Sequence, residues 1–337
     1  MGGDEMAVTL KDIAEKAGVS NQVVSAVLNS KNNCRVSKEK RERILELARR
    51  LNYQPNGLAS GLRNGKSRII GVLSDTYVGF RREQLLREIE RAALTRNYRI
   101  LTSHTHDDMT GIAENSQQLF NYGVAGMICL AHDYPESRKE FADTFTNDRR
   151  LIFLEKPAFS GCRYVSTSRR EAMIRLVADC KRHGITRIGL IHSDPVSISE
   201  RDLVAEYQEA MRVSGLPVDP RLEFQYSYRR TTIQTNCDAI LKKMIRPYRP
   251  QLVYSDDAVY ALYLQTHLIA EGWKIPEDIM FYGGTNNPFF QYCTPPIGSF
   301  DPRYAVTAEH LVAGALDHEL YAEPPVIDAV YQPVSLR

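Results

Sequence analysis

A helix-length stretch near the start of the chain sets Asn21, Gln22, Ser25, Ala26 and Asn29 on one arc, while Val23, Val24, Val27 and Leu28 fall on the opposite arc at about 100° per residue. Exposed carboxamides pair bidentately with adenine edges, so the chemistry this face offers is base reading. The polar face alone fits an ordinary solvated bundle surface equally well. Farther along, His104-Thr105-His106-Asp107-Asp108 follows a strand candidate and aims two imidazoles to one side, a spacing suited to a metal ion. No third ligand set accompanies it. Gly65-Lys66-Ser67 echoes the end of a phosphate-binding loop, but Ser60 stands where the first glycine belongs and no strand precedes it. Cys34, Cys129, Cys162, Cys180, Cys237 and Cys293 form no CxxC pair, which argues against a disulfide framework or zinc knuckle. There is no G-x-S-x-G elbow. The sequence therefore assigns no catalytic residue, no metal site and no cofactor.

The elements that must position the polar face carry their own signals. Thr9 and Asp12 have the spacing of a capping box, Gly18 ends the helix they start, and Ser20 caps the next one. Ser37 caps a third helix with Ile44, Leu47, Ala48 and Leu51 inward, leaving Lys38, Lys40, Arg41 and Arg43 to reach phosphates. Two helices joined by a tight turn, the second exposing amides, fit a helix-turn-helix. Charge favours that reading over the bland one. Residues 1–67 carry 12 Lys+Arg against 7 Asp+Glu, and the remainder carries 31 against 34, so the basic charge sits where a polyanion would find it.

The rest of the 337 residues, in a chain that is 43% hydrophobic, has enough apolar content for a sizeable core. Strand candidates are Ile69–Leu73, Arg99–Ser103, Gly126–Leu130, Leu151–Leu154, Tyr164–Ser166, Arg187–Ile191, Leu222–Tyr226, Leu252–Tyr254, Ile279–Tyr282 and Ile297–Phe300. Helical patterns separate most of them, the βαβ signature of parallel sheets covered on both faces. Two doubly wound lobes follow. Asn52–Ser67, with Pro55 and glycines at 57, 61 and 65, reads as a linker. Residues 1–8 lack the apolar core of a signal peptide, and no run is long enough for a membrane helix, so a cytoplasmic protein is expected.

Val8-Thr9-Leu10-Lys11-Asp12-Ile13-Ala14-Glu15-Lys16-Ala17-Gly18-Val19-Ser20 resembles the opening signature of LacI/GalR (lactose-repressor) regulators almost letter for letter. The resemblance continues through Val24-Ser25-Ala26-Val27-Leu28-Asn29, Val36-Ser37 and Leu51-Asn52-Tyr53-Gln54-Pro55-Asn56. It implies an N-terminal all-α helix-turn-helix domain (1–54), a hinge helix and linker (55–67), and an α/β periplasmic-binding-protein-like type I core (68–337). The core's first lobe is expected at about 68–192 plus 301–324, and its second at about 193–300 plus 325–337. Base reading is implied at Asn21, Gln22 and Ala26, with further DNA contacts from Thr9, Ser20, Ser25, Asn29, Tyr53 and Asn56. Family members usually carry Arg where this chain has Ala26, so the operator should differ at the base pair that arginine reads. The loop Ser30–Arg35 is longer than usual and brings Arg35 toward DNA. In the segment Asn56-Gly57-Leu58-Ala59-Ser60-Gly61-Leu62, the resemblance places Ala59 and Leu62 in the operator's central minor groove. The physics agrees: a short helix with two glycines is too costly to persist alone and should order only on DNA in a dimer.

The core is identified with the family by Ile70-Gly71-Val72-Leu73, Ser255-Asp256-Asp257, Gly272 with Pro276-Glu277-Asp278-Ile279, and Pro295-Pro296. Effector contacts are implied for Asp75, Thr76, Phe80, Arg201, Tyr226, Ser255, Asp256, Thr285 and Tyr304. Aromatics at strand ends equally serve as packing, and an Asp after a strand equally caps a helix. Two departures matter. Leu203 stands at the family's clamping arginine and Thr285 at its aspartate, so the usual sugar or purine effectors do not follow automatically. The resulting expectation is a homodimeric repressor of a near-palindromic double-stranded operator. Its effector would be a carbohydrate or related metabolite, and it would have no membrane association. A cytosolic solute-binding protein or a metal-dependent enzyme on the same core is the alternative.

Overall fold

The computed structural model describes residues 8–28, 36–53, 67–74, 80–104, 111–130, 138–194, 198–227, 231–321 and 323–333. The chain divides into two units, Met1–Lys66 and Ser67–Arg337. In the first unit, α1 (Leu10–Ala17), α2 (Asn21–Leu28) and α3 (Lys38–Arg50) enclose a core of Ile13, Ala14, Val24, Val27, Ile44 and Ala48. Small size makes capping count here. Thr9 N donates to Asp12 Oδ2 at 2.7 Å, Asp12 N donates to Thr9 Oγ1 at 3.4 Å, and Gly18 closes the helix at φ 66°. Each such cap contributes about 1 kcal/mol.

The second unit holds two six-stranded sheets. Its elements run β1 (Ile69–Ser74), α4 (Phe80–Thr95), β2 (Arg99–His104), α5 (Gly111–Asn121), β3 (Gly126–Cys129), α6 (Arg138–Phe145), β4 (Leu151–Leu154) and β5 (Arg163–Ser168). There follow α7 (Arg170–Arg182), β6 (Ile188–Ser193), α8 (Ile198–Val213), β7 (Glu223–Tyr226), α9 (Ile233–Ile240), β8 (Leu252–Ser255) and α10 (Ala258–Ala270). The chain then forms β9 (Met280–Gly283), β10 (Gly298–Asp301), α11 (Tyr304–Leu316), β11 (Val326–Asp328) and β12 (Val330–Tyr331). The first sheet is ordered β11-β5-β4-β3-β1-β2 and the second β12-β10-β9-β8-β6-β7, parallel except where β12 runs against β10. All ten expected strands form, with ends shifted by at most two residues, and β11 and β12 are additional.

The expected lobe boundary needs correction. Placing residues up to 192 in the first lobe would put β6 there, but Gly189 pairs with Val253 and Leu190 with Glu223, which makes β6 an interior strand of the second sheet. Likewise Val326–Asp328 joins β5 of the first sheet, although residues from 325 were expected in the second lobe. The chain crosses between lobes after β5, after β10 and after β11. Composition does not mark the first crossing, because Ser168-Arg169-Arg170 has neither glycine nor proline.

Burial follows the sheets. β1, β3, β6, β8 and β9 are largely or wholly buried, as parallel strands covered by helices on both faces must be. Close packing is sharpest at Gly126, where a β-carbon would stand 1.8 Å from the Ala315 carbonyl oxygen of α11. Only glycine permits that approach.

Candidate DNA-reading face and inter-lobe site

In the first unit the helix-turn-helix geometry is local in origin. Ser20 Oγ accepts from Val23 N at 3.4 Å, starting α2, and Val24 and Val27 turn inward. Asn21 and Gln22 are exposed, and Ser25 and Ala26 are half-buried on the same side. Thr9 spends its hydroxyl on the capping box. The Tyr53 ring packs against the three-helix core, so this residue has a packing role whatever else it touches. Lys38 and Lys40 are exposed, whereas Arg43 Nη2 donates to Lys16 O at 3.4 Å and so ties α3 to the end of α1. Asn29, Arg35, Asn56, Ala59 and Leu62 lie outside the described residues.

In the second unit a charged cluster forms where the lobes meet. Arg81, on α4 of the first lobe, places Nη1 2.9 Å from Asp256 Oδ2, just past β8 of the second lobe. One helical turn on, Gln84 Nε2 donates to Asn286 O at 3.3 Å. Arg169, at the crossing after β5, sets Nη1 3.9 Å from Asp256 Oδ1 and Nε 3.4 Å from Glu206 Oε2. Glu206 on α8 also accepts from Arg169 N at 2.9 Å and from Ser168 Oγ at 3.2 Å, which anchors the crossing segment. Arg169 and Asp256 are 8% and 3% exposed. Charges this buried persist only when paired. Burial pushes the Asp256 carboxyl up, but Arg81 and Arg169 outweigh it and hold the group below the usual carboxylate range.

Around this cluster, Tyr254 Oη, Thr285 Oγ1, Asp256 Oδ1 and Glu206 Oε2 are buried without a hydrogen-bond partner among the described residues. Buried polar groups are ordinarily satisfied, so this concentration of orphans calls for partners that the described residues do not supply, whether ordered water or a ligand. The Tyr304 hydroxyl is buried beside Arg81. Glu155, after β4, holds φ 67° and accepts from Thr167 N at 3.2 Å and from Thr167 Oγ1. Burial pushes its carboxyl above the usual value, against Thr167, Arg169 and Arg81. A cavity of about 930 Å³ adjoins the cluster at Gln84 and Asn286 and runs past Gln265, Gln291 and Gln332, and none of its lining residues is charged.

Of the residues expected to touch an effector, Asp256 and Tyr304 reach this cluster, and Thr285 is buried next to Gly284, which faces the cluster. Ser255 is buried beside it, with Oγ donating to Asp257 O at 2.8 Å. Tyr226 does not reach it: its ring lies 4.2 Å from that of Tyr260, inside the second lobe's core. Phe80 opens α4 and Arg201 lies on α8, and their side chains fall outside the described residues, as do Asp75 and Thr76 entirely. Leu203 is 1% exposed within an apolar cluster, so it offers no polar replacement for the family's arginine. Sequence reasoning missed Arg81, Arg169, Glu206, Tyr254 and Glu155. Arg81-Arg82 and Arg169-Arg170 are two of five Arg-Arg dipeptides in the chain, so their composition did not single them out. His104 ends β2 with Nδ1 buried and without a hydrogen-bond partner, and among the described residues no group of three metal-ligating side chains forms.

Comparison with known proteins agrees with both units. Residues 9–56 match the family described as bacterial regulatory proteins, lacI family, and residues 177–337 match the periplasmic binding protein-like domain. The chain is 24% identical to the HTH-type transcriptional repressor PurR of Vibrio campbellii, over 86% of this chain and 85% of the relative. It is also 24% identical to the ribose operon repressor of Escherichia coli, covering 86% of each. Among solved structures, the lac repressor dimer bound to operator and the anti-inducer ONPF superposes with a TM-score of 0.79 at 19% identity, over 96% of this chain and 97% of that one. A complex of the transcriptional regulator CelR with cellobiose gives 0.65 at 18%, with the same coverage. The molecule is thus a regulatory protein that joins a helix-turn-helix unit to a periplasmic-binding-protein-like core. Its first unit carries the helix-turn-helix domain of the lacI family of bacterial regulatory proteins, and its core carries the periplasmic binding protein-like domain.

Proposed function

We propose that this protein represses transcription by binding a near-palindromic operator as a homodimer, under control of a small molecule held between the two core lobes. The carrying observation is the coexistence in one chain of an exposed Asn21/Gln22 face and a buried inter-lobe cluster rich in unsatisfied polar atoms. Residues 1–54 are the reader and 55–67 the hinge, with Ala59 and Leu62 entering the minor groove at the operator centre. A wedge there costs a few kcal/mol, recovered by contacts that the bent duplex allows.

Dimerisation is supported by α10, whose thirteen residues carry no Asp, Glu, Lys or Arg yet leave Val259 and Ile269 exposed. Apolar residues on the outer side of an uncharged helix of this kind are best covered by a second copy. The protein acts in the cytoplasm by binding rather than by catalysis. In line with this, burial holds the Cys162, Cys180 and Cys237 thiols at about 12, far from the thiolate a nucleophile needs. The effector is a carbohydrate or related metabolite.

Selection of bound sequences from a random duplex library by the full-length protein tests this reading. An enriched near-palindrome is expected. Enrichment of no sequence would overturn it and favour a solute-binding protein.

A further inference from the structure

We infer that Arg81 is a built-in occupant of the effector cleft: its guanidinium holds the position on Asp256 that an effector's hydrogen-bond donor must win, and this exchange controls lobe closure. The inference rests on the effector reading above and names how that site is regulated.

Three observations carry it. First, Arg81 and Gln84 lie on one face of α4, so a single first-lobe helix grips two loops of the second lobe, at Asp256 and at Asn286. Second, the partners are unequal. The Asp256 side chain is 4% exposed and that of Arg81 is 41% exposed. Arg81 therefore regains water when it lets go, while Asp256 does not, so the cost of release falls on Asp256 and has to be met by an incoming donor; Arg81 is the mover and Asp256 the anchor. Third, only one carboxylate oxygen is held by Arg81. The other, Oδ1, has no hydrogen-bond partner and faces Gly284, where a β-carbon would stand 3.0 Å away.

The same geometry sets the chemistry of the competitor. A group replacing a guanidinium on a buried carboxylate must donate hydrogen bonds. Arg81 and Arg169 already face Asp256 and Glu206, so a phosphate or carboxylate would meet repulsion from both acids. The effector is accordingly a donor-rich, non-anionic small molecule, such as a polyol, that takes over Asp256 Oδ2 from Arg81 and also engages the unsatisfied Oδ1 and the Tyr254 hydroxyl. Once it engages Asp256, Arg81 is displaced and the first lobe loses its grip.

The test uses full-length wild type, Arg81→Met, Arg81→Lys, Asp256→Asn and the double variant Arg81→Met/Asp256→Asn, without added ligand. Affinity is measured for the selected operator, and the radius of gyration by small-angle scattering. A coupling of the usual allosteric size predicts that Arg81→Met and Asp256→Asn each change operator affinity about 5–150-fold. The double variant should do no more than either single one, Arg81→Lys should fall between wild type and Arg81→Met, and the Met variant should have the larger radius. Unchanged affinity and radius, with only thermal stability altered, would overturn the inference and leave a structural ion pair. If wild type selects no operator, the regulatory reading fails instead, and the scattering comparison still decides whether Arg81 closes the lobes.

Discussion

A β-carbon on Gly284 would stand 2.6 Å from the Tyr254 hydroxyl, closer than any such contact in a folded protein. Gly284 follows β9 and Tyr254 lies in β8, so the two meet because neighbouring parallel strands end side by side at the inter-lobe cluster. Gly284→Ala must push the Tyr254 ring or the Asp256 carboxylate aside. Overpacking of this kind costs about 1–3 kcal/mol. Denaturant titration should show that loss, and adding Tyr254→Phe, which removes the clashing oxygen, should recover much of it. An equal loss with and without Tyr254→Phe would place the strain elsewhere.

Leu203 supplies a second expectation. The resemblance to lactose-repressor proteins puts an arginine there, but this leucine is buried among Tyr207, Ala210 and Met211. Leu203→Arg should therefore behave as an unpaired buried charge, costing about 3–5 kcal/mol, rather than create a sugar clamp. A folded variant of undiminished melting temperature would show that the helix can rotate this position into the cleft.

The Glu155 carboxyl is raised by burial, which fixes the sign of its pH dependence. Its contribution to stability is fully present below the ordinary glutamate value and is lost as pH rises through the elevated folded value. Glu155→Gln cannot ionise, so its stability relative to wild type should rise as pH increases above about 4.5. Parallel urea midpoints across that range test this, and a flat difference would contradict it. Asp256 runs the other way: its contribution persists above the ordinary aspartate value and is lost as pH falls through its depressed one.

On the reading face, Gln22→Ala should cost about 1–3 kcal/mol at one base pair per half-site and relax the preference there. A repeated selection experiment reads this directly. Unchanged base preference would move the reading role to another face of the first unit.

The parts of this molecule legible in sequence are those set by local rules. The capping box at Thr9 and Asp12, the left-handed Gly18 and the inward Val24 and Val27 follow from neighbours within a few residues. The strands follow from buried apolar runs bounded by helical patterns. The site was less legible because it is assembled from distant segments. Arg81 and Asp256 are 175 residues apart in sequence, and nothing in either neighbourhood announces the other. Arg169 reads as the solvated start of a helix until the crossing between lobes buries it. Tyr226 failed for the converse reason: a strand-end aromatic packs as readily as it binds, and here Tyr260 claims it.

Sequence-specific DNA binding is read out by titrating full-length protein with the selected operator and with a scrambled duplex of equal length at two salt concentrations. The operator should bind at least about 10³-fold tighter, with both affinities falling as salt rises. Equal affinity for the two duplexes would contradict specific binding and leave the basic N-terminal unit as a nonspecific polyanion binder.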